Sequence, residues 1–228
     1  MKRTIFTLSL LLAFSIYTAI AQEHPDPQNP ENENLAVPAN WKVRLDNPDE
    51  GAIIGADQDK ADIFFVNMVP GWHITTGPAA IFWHPASTAE GSYRAETVIH
   101  LFDPQGRNEA FGLFFGGSNL EEDDQTYSYF LLRNSEEYLI KNRSGSETSI
   151  VKSWSHAMAM DQYDENSGSS VRNSLAVEVR DDKATFFVNG NEVTSVPASE
   201  LNVNGIVGLR INHRLNVHVE DLVVAPIE

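Results

Sequence analysis

The sequence predicts an all-β protein in which two antiparallel sheets stack as a sandwich. Short alternating or apolar segments follow one another along most of the chain, separated by turn residues. Almost no segment keeps helical periodicity over about ten residues. The clearest hairpin lies at residues 185–193, where Asn189-Gly190 separates two strands and accepts the positive φ angles of a type I′ turn.

The predicted strands begin at residue 41, where Trp41-Lys42-Val43-Arg44-Leu45 alternates with the period of two of a half-buried strand. The strands that follow are too many for one flat sheet, so we expect two sheets. They cover residues 41–45, 63–68, 72–75, 81–83, 93–102, 110–115, 127–133, 138–142, 149–154, 174–180, 184–188, 192–196, 205–211 and 216–224. Residues 155–172 contain Asp161, Asp164, Glu165 and a Ser/Gly cluster, which predicts a surface loop with one helical turn.

The strand at 93–102 predicts which side of a sheet is buried. One side is apolar and is expected to face the core: Tyr93, Ala95, Thr97, Ile99 and Leu101. The other side carries three ionisable groups: Arg94, Glu96 and His100, beside Val98 and Phe102. A jelly roll with one polar outer face satisfies both sides.

The N-terminus has the features of an export signal. Lys2 and Arg3 precede an apolar run at 8–14, and Ala19-Ile20-Ala21 provides the small residues that a signal peptidase needs. We therefore predict a signal peptide at 1–21, a proline-rich disordered leader at 22–40 and one domain at 41–228. No second apolar stretch of about 18 residues follows, so a secreted or periplasmic protein without membrane insertion is expected.

Composition narrows the class of partner. Cleavage after Ala21 removes Lys2 and Arg3 and moves the formal net charge from −16 to −18. Such an acidic chain repels phosphate backbones, so nucleic acid is excluded as a partner, and neutral ligands or cations are favoured. The chain has no cysteine, which excludes disulfides and indicates a bacterial exported protein that depends on its core for stability.

The C-terminal third resembles a known superfamily. Four motifs occur in this order. A strand at 175–180 is followed by a strand at 184–190 that ends in Phe187-Val188-Asn189-Gly190, then by a Gly-x-x-Gly-Leu strand at 205–210 and a final strand at 216–222. This order resembles the closing strands of laminin-G-like domains of the concanavalin A-like lectin/glucanase superfamily, and the resemblance extends over 41–228. It implies a jelly roll. The superfamily includes sugar-binding modules, endoglycanases and hydrolases of 3-keto-disaccharides, so fold alone does not choose the chemistry.

Five side chains are the predicted ligand-binding group: Arg94, Glu96, His100, Tyr129 and Arg133. If the strand at 127–133 neighbours the strand at 93–102, these side chains combine an aromatic ring, a carboxylate, two guanidiniums and an imidazole. Rings contact the C–H faces of sugars, and charged groups bond their hydroxyls. The alternative is a cross-strand ion pair between Glu96 and an arginine on a solvated sheet.

Catalytic and metal signatures are weak. The Glu-x-Asp-x-x-Glu pattern of retaining glycanases is absent, so no catalytic residue is predicted, and Glu96 is the choice only for a hydrolase. Two acidic stretches, 121–124 and 161–168, are expected to be solvated loops, with weak calcium binding as the alternative. No cofactor is predicted, although the resemblance makes a structural calcium ion conceivable. Two Trp-His pairs, at 72–73 and 83–84, are expected to pack rather than to bind a ligand.

Three functions remain open. The first is a secreted carbohydrate-binding module that holds a glycan on the concave sheet without cleavage. The second is a glycoside hydrolase of the same superfamily, of the keto-disaccharide type, that uses one carboxylate. The third is a structural or adhesive surface protein.

Overall fold

The structure is a computed structural model that describes Pro30 and residues 35–227. The predicted signal peptide and most of the predicted leader lie outside the described residues. Within the described part, the elements are strands and two short 3₁₀ turns, at Pro48–Glu50 and Ala198–Glu200. No helix in this part is long and apolar enough to cross a membrane.

The strands form two sheets. In chain order they are β1 (Lys42–Leu45), β2 (Ile54–Gly55), β3 (Ile63–Asn67), β4 (Trp72–Thr76), β5 (Ala80–Ala89), β6 (Tyr93–Phe102), β7 (Ala110–Ser118), β8 (Thr126–Arg133), β9 (Glu137–Ser144), β10 (Glu147–His156), β11 (Ser170–Arg180), β12 (Lys183–Val188), β13 (Asn191–Pro197), β14 (Gly205–Ile211) and β15 (Asn216–Pro226). Sheet A has the order β1-β5-β14-β7-β8-β9-β10, and sheet B has the order β13-β12-β11-β6-β15-β4-β3-β2. Pairing is antiparallel apart from the short parallel pair β2–β3. The predicted all-β sandwich is confirmed.

Local predictions agree closely with the structure. Every predicted segment falls on a strand, and among the strands of the described residues the short β2 was not predicted. Asn189 and Gly190 have φ angles of 48° and 77°, as a type I′ turn requires, and they join β12 to β13. The loop predicted at 155–172 occupies 157–169, without the predicted helical turn.

The core lies between the two sheets. Tyr93, Ala95, Ile99 and Leu101 of β6 are buried in it, as the alternation predicted. Rings from both sheets meet there at about edge-to-face angles, for example Phe65 of sheet B and Phe82 of sheet A, whose centroids are 5.1 Å apart. A second apolar cluster covers the outer face of sheet A. Its buried members are Ile81, Trp83, Ala110, Phe114, Leu120, Tyr127, Tyr129, Leu131 and Leu139.

Candidate functional site

The five side chains predicted to bind a ligand lie on two opposite surfaces. Arg94, Glu96 and His100 project from β6 on the outer face of sheet B, because the alternate residues of β6 fill the core. Tyr129 and Arg133 belong to β8 in sheet A. Strand β6 pairs with β11 and β15, whereas β8 pairs with β7 and β9. The neighbouring-strand arrangement on which the predicted site depended is therefore wrong.

The charged groups on the sheet B face pair with one another. The Nε of Arg94 donates to Glu96 at 2.9 Å, and its Nη1 lies 3.6 Å from Glu178. Its guanidinium also lies 4.9 Å from the centroid of the Phe187 ring. Arg94 and Glu96 border a cavity of about 290 Å³ that is lined further by Val98, Asp221, Val223 and Ala225. Glu96 is therefore ion-paired, as in the alternative interpretation, but its arginine lies on the same strand, and the cross-strand carboxylate of Arg94 is Glu178. Exposed pairs of this kind contribute below about 1 kcal/mol.

His100 is part of a second ionic group on this face. Its Nε2 lies 2.6 Å from Glu220, whose carboxylate also accepts hydrogen bonds from Arg172 at 3.1 and 3.3 Å. The hydrogen bond from Arg172 is the main cause of the lowered pKa of Glu220, and the bond from His100 adds to it. The ring of His218 lies 5.7 Å from that of His100, and burial lowers the pKa of His218. Arg172 and Glu220 are the charge pair of this group.

Tyr129 is closed off from ligands on the outer face of sheet A. It is only 4% exposed, and burial raises its pKa to about 12. The guanidinium of Arg210 lies 4.8 Å from its ring centroid. Leu120, from the loop between β7 and β8, packs into the same cluster, and its carbonyl accepts a hydrogen bond from Arg44 at 3.3 Å. A ring this enclosed cannot stack on a sugar.

An ion pair anchors this cluster. Arg210 is bidentate to Asp46, with Nη1 donating to Oδ1 at 2.6 Å and Nη2 donating to Oδ2, and Nη1 also donates to the Tyr127 hydroxyl oxygen at 3.2 Å. Burial acts to raise the pKa of Asp46, but the hydrogen bond and charge of Arg210 outweigh it, so the pKa lies below its ordinary value. The pair is a structural element of the sandwich.

Arg133 has a different position, at the end of β8. Its Nε donates to Glu137 at 2.8 Å, and its guanidinium stacks 4.0 Å from the centroid of the Trp154 ring. The Ser135 hydroxyl donates to the same carboxylate at 2.5 Å and accepts a hydrogen bond from Asn108 at 3.1 Å. Ser135 and Asn108 both line a cavity at this end of the sandwich, so Arg133 supports its wall.

That cavity, which we call the loop cavity, has a volume of about 420 Å³, within the range of small-ligand sites. Three connections form it: the β6–β7 loop, the β8–β9 turn and the β10–β11 loop. They contribute Asp103, Pro104, Gly106, Arg107 and Asn108; Asn134 and Ser135; and Gln162, Tyr163, Asp164 and Glu165, respectively. Carboxylates, amides, a hydroxyl and a guanidinium thus surround one space beside the half-buried Tyr163. Sugars need this mixture of hydrogen-bonding groups with an adjoining ring.

Asparagine side chains hold the 157–169 loop in place. Asn134 accepts from the backbone N–H of Tyr163 at 2.7 Å and donates to its carbonyl at 3.0 Å. Asn173, which is fully buried, makes the same double contact with the backbone of Asp161, at 2.8 Å each way. Asn189 donates to the carbonyl of Ala159 at 2.8 Å. A loop of this length without secondary structure is uncommon unless it has a function, and this one is preorganised.

Two cavity side chains are uncommitted. Gln162 and Glu165 make no side-chain hydrogen bond or ion pair with any part of the chain that the structure describes. Asp164 differs, because its Oδ1 accepts hydrogen bonds from Ser167 at 2.9 Å and from the N–H of Asn166 at 2.8 Å. Gln162 and Glu165 are therefore available to a ligand. The loop cavity was not predicted, although the surface loop predicted at 155–172 contains the residues of one of its walls.

The acidic stretches do not gather into a metal centre. Within the described residues, no three His, Cys, Asp or Glu side chains come together in a way that could hold a metal ion. Asp164 caps its own turn, whereas Asp123 and Glu121 lie 3.7 and 3.6 Å from Arg44 and Lys42. Both stretches are loop structures held by hydrogen bonds and ion pairs.

The Trp-His pairs pack as predicted. Trp83 is 2% exposed in the outer cluster of sheet A, and His73 is fully buried. Trp72 packs on Trp41 with ring centroids 4.5 Å apart.

Comparison with solved structures places the chain among jelly rolls. The carbohydrate binding module CBM66 from Bacillus subtilis matches over 82% of this chain and 95% of its own, with a TM-score of 0.56 and 11% identity. A Bacillus subtilis protein of unknown function with a galectin-like fold matches over 82% of this chain and 89% of its own, with a TM-score of 0.55 and 11% identity. The GH16 protein of the mixed linkage glucan PUL of Bacteroides ovatus, solved with its G4G4G3G product, matches over 87% and 98%, with a TM-score of 0.53 and 7% identity.

At these identities the likeness shows the fold alone. That fold is a β-sandwich jelly roll. No protein-family model matches the chain, and no curated protein matches it.

Proposed function

We propose that this protein is a secreted carbohydrate-binding module that holds a glycan in the loop cavity without cleaving it. The observation that carries the proposal is the convergence of uncommitted Gln162 and Glu165 with fixed amides beside Tyr163, on a preorganised loop of a jelly roll. The likeness to a carbohydrate binding module supports it. The predicted export signal at 1–21 supports secretion. The site is at one end of the sandwich, not on the sheet face that the sequence suggested.

Asp164 is poorly suited to act as the general acid of a glycosidase. A glycosidase needs one carboxylic acid that keeps its proton to protonate the leaving group. The hydrogen bonds from Ser167 and the Asn166 N–H instead hold the pKa of Asp164 below its ordinary value. Asp164 is thus suited to accepting hydrogen bonds from sugar hydroxyls.

One observation favours hydrolysis as the second candidate function, at the sheet B cavity. Burial raises the pKa of Asp221 there, and the charges of Glu220 and Glu96 raise it further. A carboxyl group with a raised pKa beside a paired carboxylate such as Glu96 is an arrangement used in acid and base catalysis. The resemblance of 41–228 to laminin-G-like domains, whose superfamily includes hydrolases of 3-keto-disaccharides, makes such a disaccharide the substrate to test.

The two candidates separate in one experiment. The mature protein is applied to a glycan array, and the same glycans and 3-keto-disaccharides are assayed in solution for released sugar. The proposal predicts retention of a glycan and no release. Release that is lost in Glu96→Gln would replace it with the hydrolase, and absence of both retention and release would contradict both candidates.

A further inference from the structure

The charges of the loop cavity do not balance. Three acidic side chains, Asp103, Asp164 and Glu165, face one basic side chain, Arg107. The guanidinium of Arg107 donates to the neutral oxygens of Gln105, at 2.9 Å, and of Pro104, at 3.4 Å. None of the ion pairs among the described residues includes any of these four charged groups.

Each carboxylate retains the capacity to accept a further hydrogen bond. Asp103 accepts from the N–H of Gln105 at 2.7 Å through Oδ1, and its Oδ2 has no partner in the described chain. The hydrogen bonds that Asp164 accepts from the Ser167 hydroxyl and the Asn166 N–H both go to Oδ1. Glu165 is exposed and makes none. The cavity therefore presents anionic acceptors, with about two negative charges that have no ion-pair partner in the described chain.

We infer that the loop cavity selects glycans that carry free, protonated amino groups over glycans that are neutral or acidic. This inference rests on the proposed function and names its ligand class. An ammonium group offers three donors to carboxylate oxygens, and such charge-assisted bonds are stronger than those from neutral hydroxyls. The acidic chain as a whole concentrates cations near its surface and repels uronates and sulfated sugars.

The expected preference is modest because the cavity is open to water. One ammonium beside an uncompensated carboxylate is expected to bind about tenfold tighter than its N-acetylated equivalent, or about 1.4 kcal/mol. Added salt should reduce that preference, since exposed charges are screened.

The test is a calorimetric titration with three oligosaccharides of equal length. One is built of glucosamine with free amino groups, one of N-acetylglucosamine and one of galacturonate. The variant Glu165→Gln removes one cavity charge and no internal hydrogen bond, so the fold should be unaffected. The matched control is Glu122→Gln, which removes the same charge from an exposed turn away from the cavity. We expect the preference for the deacetylated oligomer to fall about threefold in Glu165→Gln and to persist in Glu122→Gln.

Four results would overturn the inference, and they differ in which part of the account they reject. Equal loss of preference in both variants would assign it to the net charge of the chain. Tighter binding of the N-acetylated or acidic oligomer would retain a glycan-binding cavity but reject amino-group selectivity. If none of these oligosaccharides bound while the array retained other glycans, only the amino-group selectivity would be rejected. If the array retained no glycan, the proposed function would be rejected as well.

Discussion

Replacing Arg210 with methionine is expected to lower the free energy of unfolding by about 3 kcal/mol. The side chain of Arg210 is 8% exposed, and the substitution leaves the Asp46 carboxylate without its bidentate partner. Removing one member of a buried pair typically costs about 3–5 kcal/mol, and the lower end applies because the Asp46 side chain is 28% exposed. Urea denaturation of the two proteins measures the difference.

A surface pair provides the control for this prediction. The side chain of Arg172 is 54% exposed where it pairs with Glu220, so Arg172→Met should cost less than about 1 kcal/mol. The Asp46 pair should also be sensitive to acid. Because the pKa of Asp46 is lowered in the folded state, its stabilisation is present above the ordinary carboxyl pKa and is lost as the pH falls through the folded value. Equal costs for Arg210→Met and Arg172→Met would contradict the structural role of the pair.

Replacing Gly116 with alanine is expected to destabilise the protein by about 3 kcal/mol or more. Gly116 has a φ of 63° at the bulge of β7, and a Cβ there would lie 2.0 Å from the carbonyl oxygen of Asn202. The backbone of Asn202 is itself held by a hydrogen bond from its N–H to Ser128 at 2.8 Å. Two backbones would have to move apart, which adds an overpacking cost to the strain of positive φ. Thermal or urea unfolding measures the loss.

Gly91 isolates the steric part of that effect. It has a similar φ of 69°, but a Cβ at this position would have no other atom within 4 Å, so Gly91→Ala meets only the backbone strain of about 1–2 kcal/mol. A cost for Gly116→Ala that did not exceed that of Gly91→Ala would show that the 201–204 segment is not packed on the bulge.

Local features could be predicted from the sequence because neighbouring residues determine them. The Asn189-Gly190 turn needs two residues that accept positive φ, and the alternation of β6 needs only one buried side. Sheet order depends on contacts between distant segments. Strand β6 pairs with β11 and β15, which lie 68 or more positions further along the chain, and no local pattern indicates that β8 belongs to the other sheet.

The candidate binding site could not be predicted for the same reason, because it depends on contacts between distant segments. Tyr129 alternates with core residues as an exposed platform would, yet Leu120 and Arg210 from other elements enclose it. The loop cavity needs three connections that only the sheet topology brings to one end. Polar loop residues such as Gln162 and Glu165 carry no sequence motif, so their convergence becomes visible only in the folded chain.

The most direct test of the glycan-binding cavity is the affinity for a retained glycan in two double variants. Gln162→Ala/Glu165→Ala removes the uncommitted groups of the loop cavity, and Arg94→Ala/Glu96→Gln removes the charged groups of the sheet B face. We predict that the first weakens binding at least about tenfold, equal to about 1.4 kcal/mol, while the second leaves it unchanged. Loss of affinity in the second with none in the first would contradict the proposed cavity and place the glycan on sheet B.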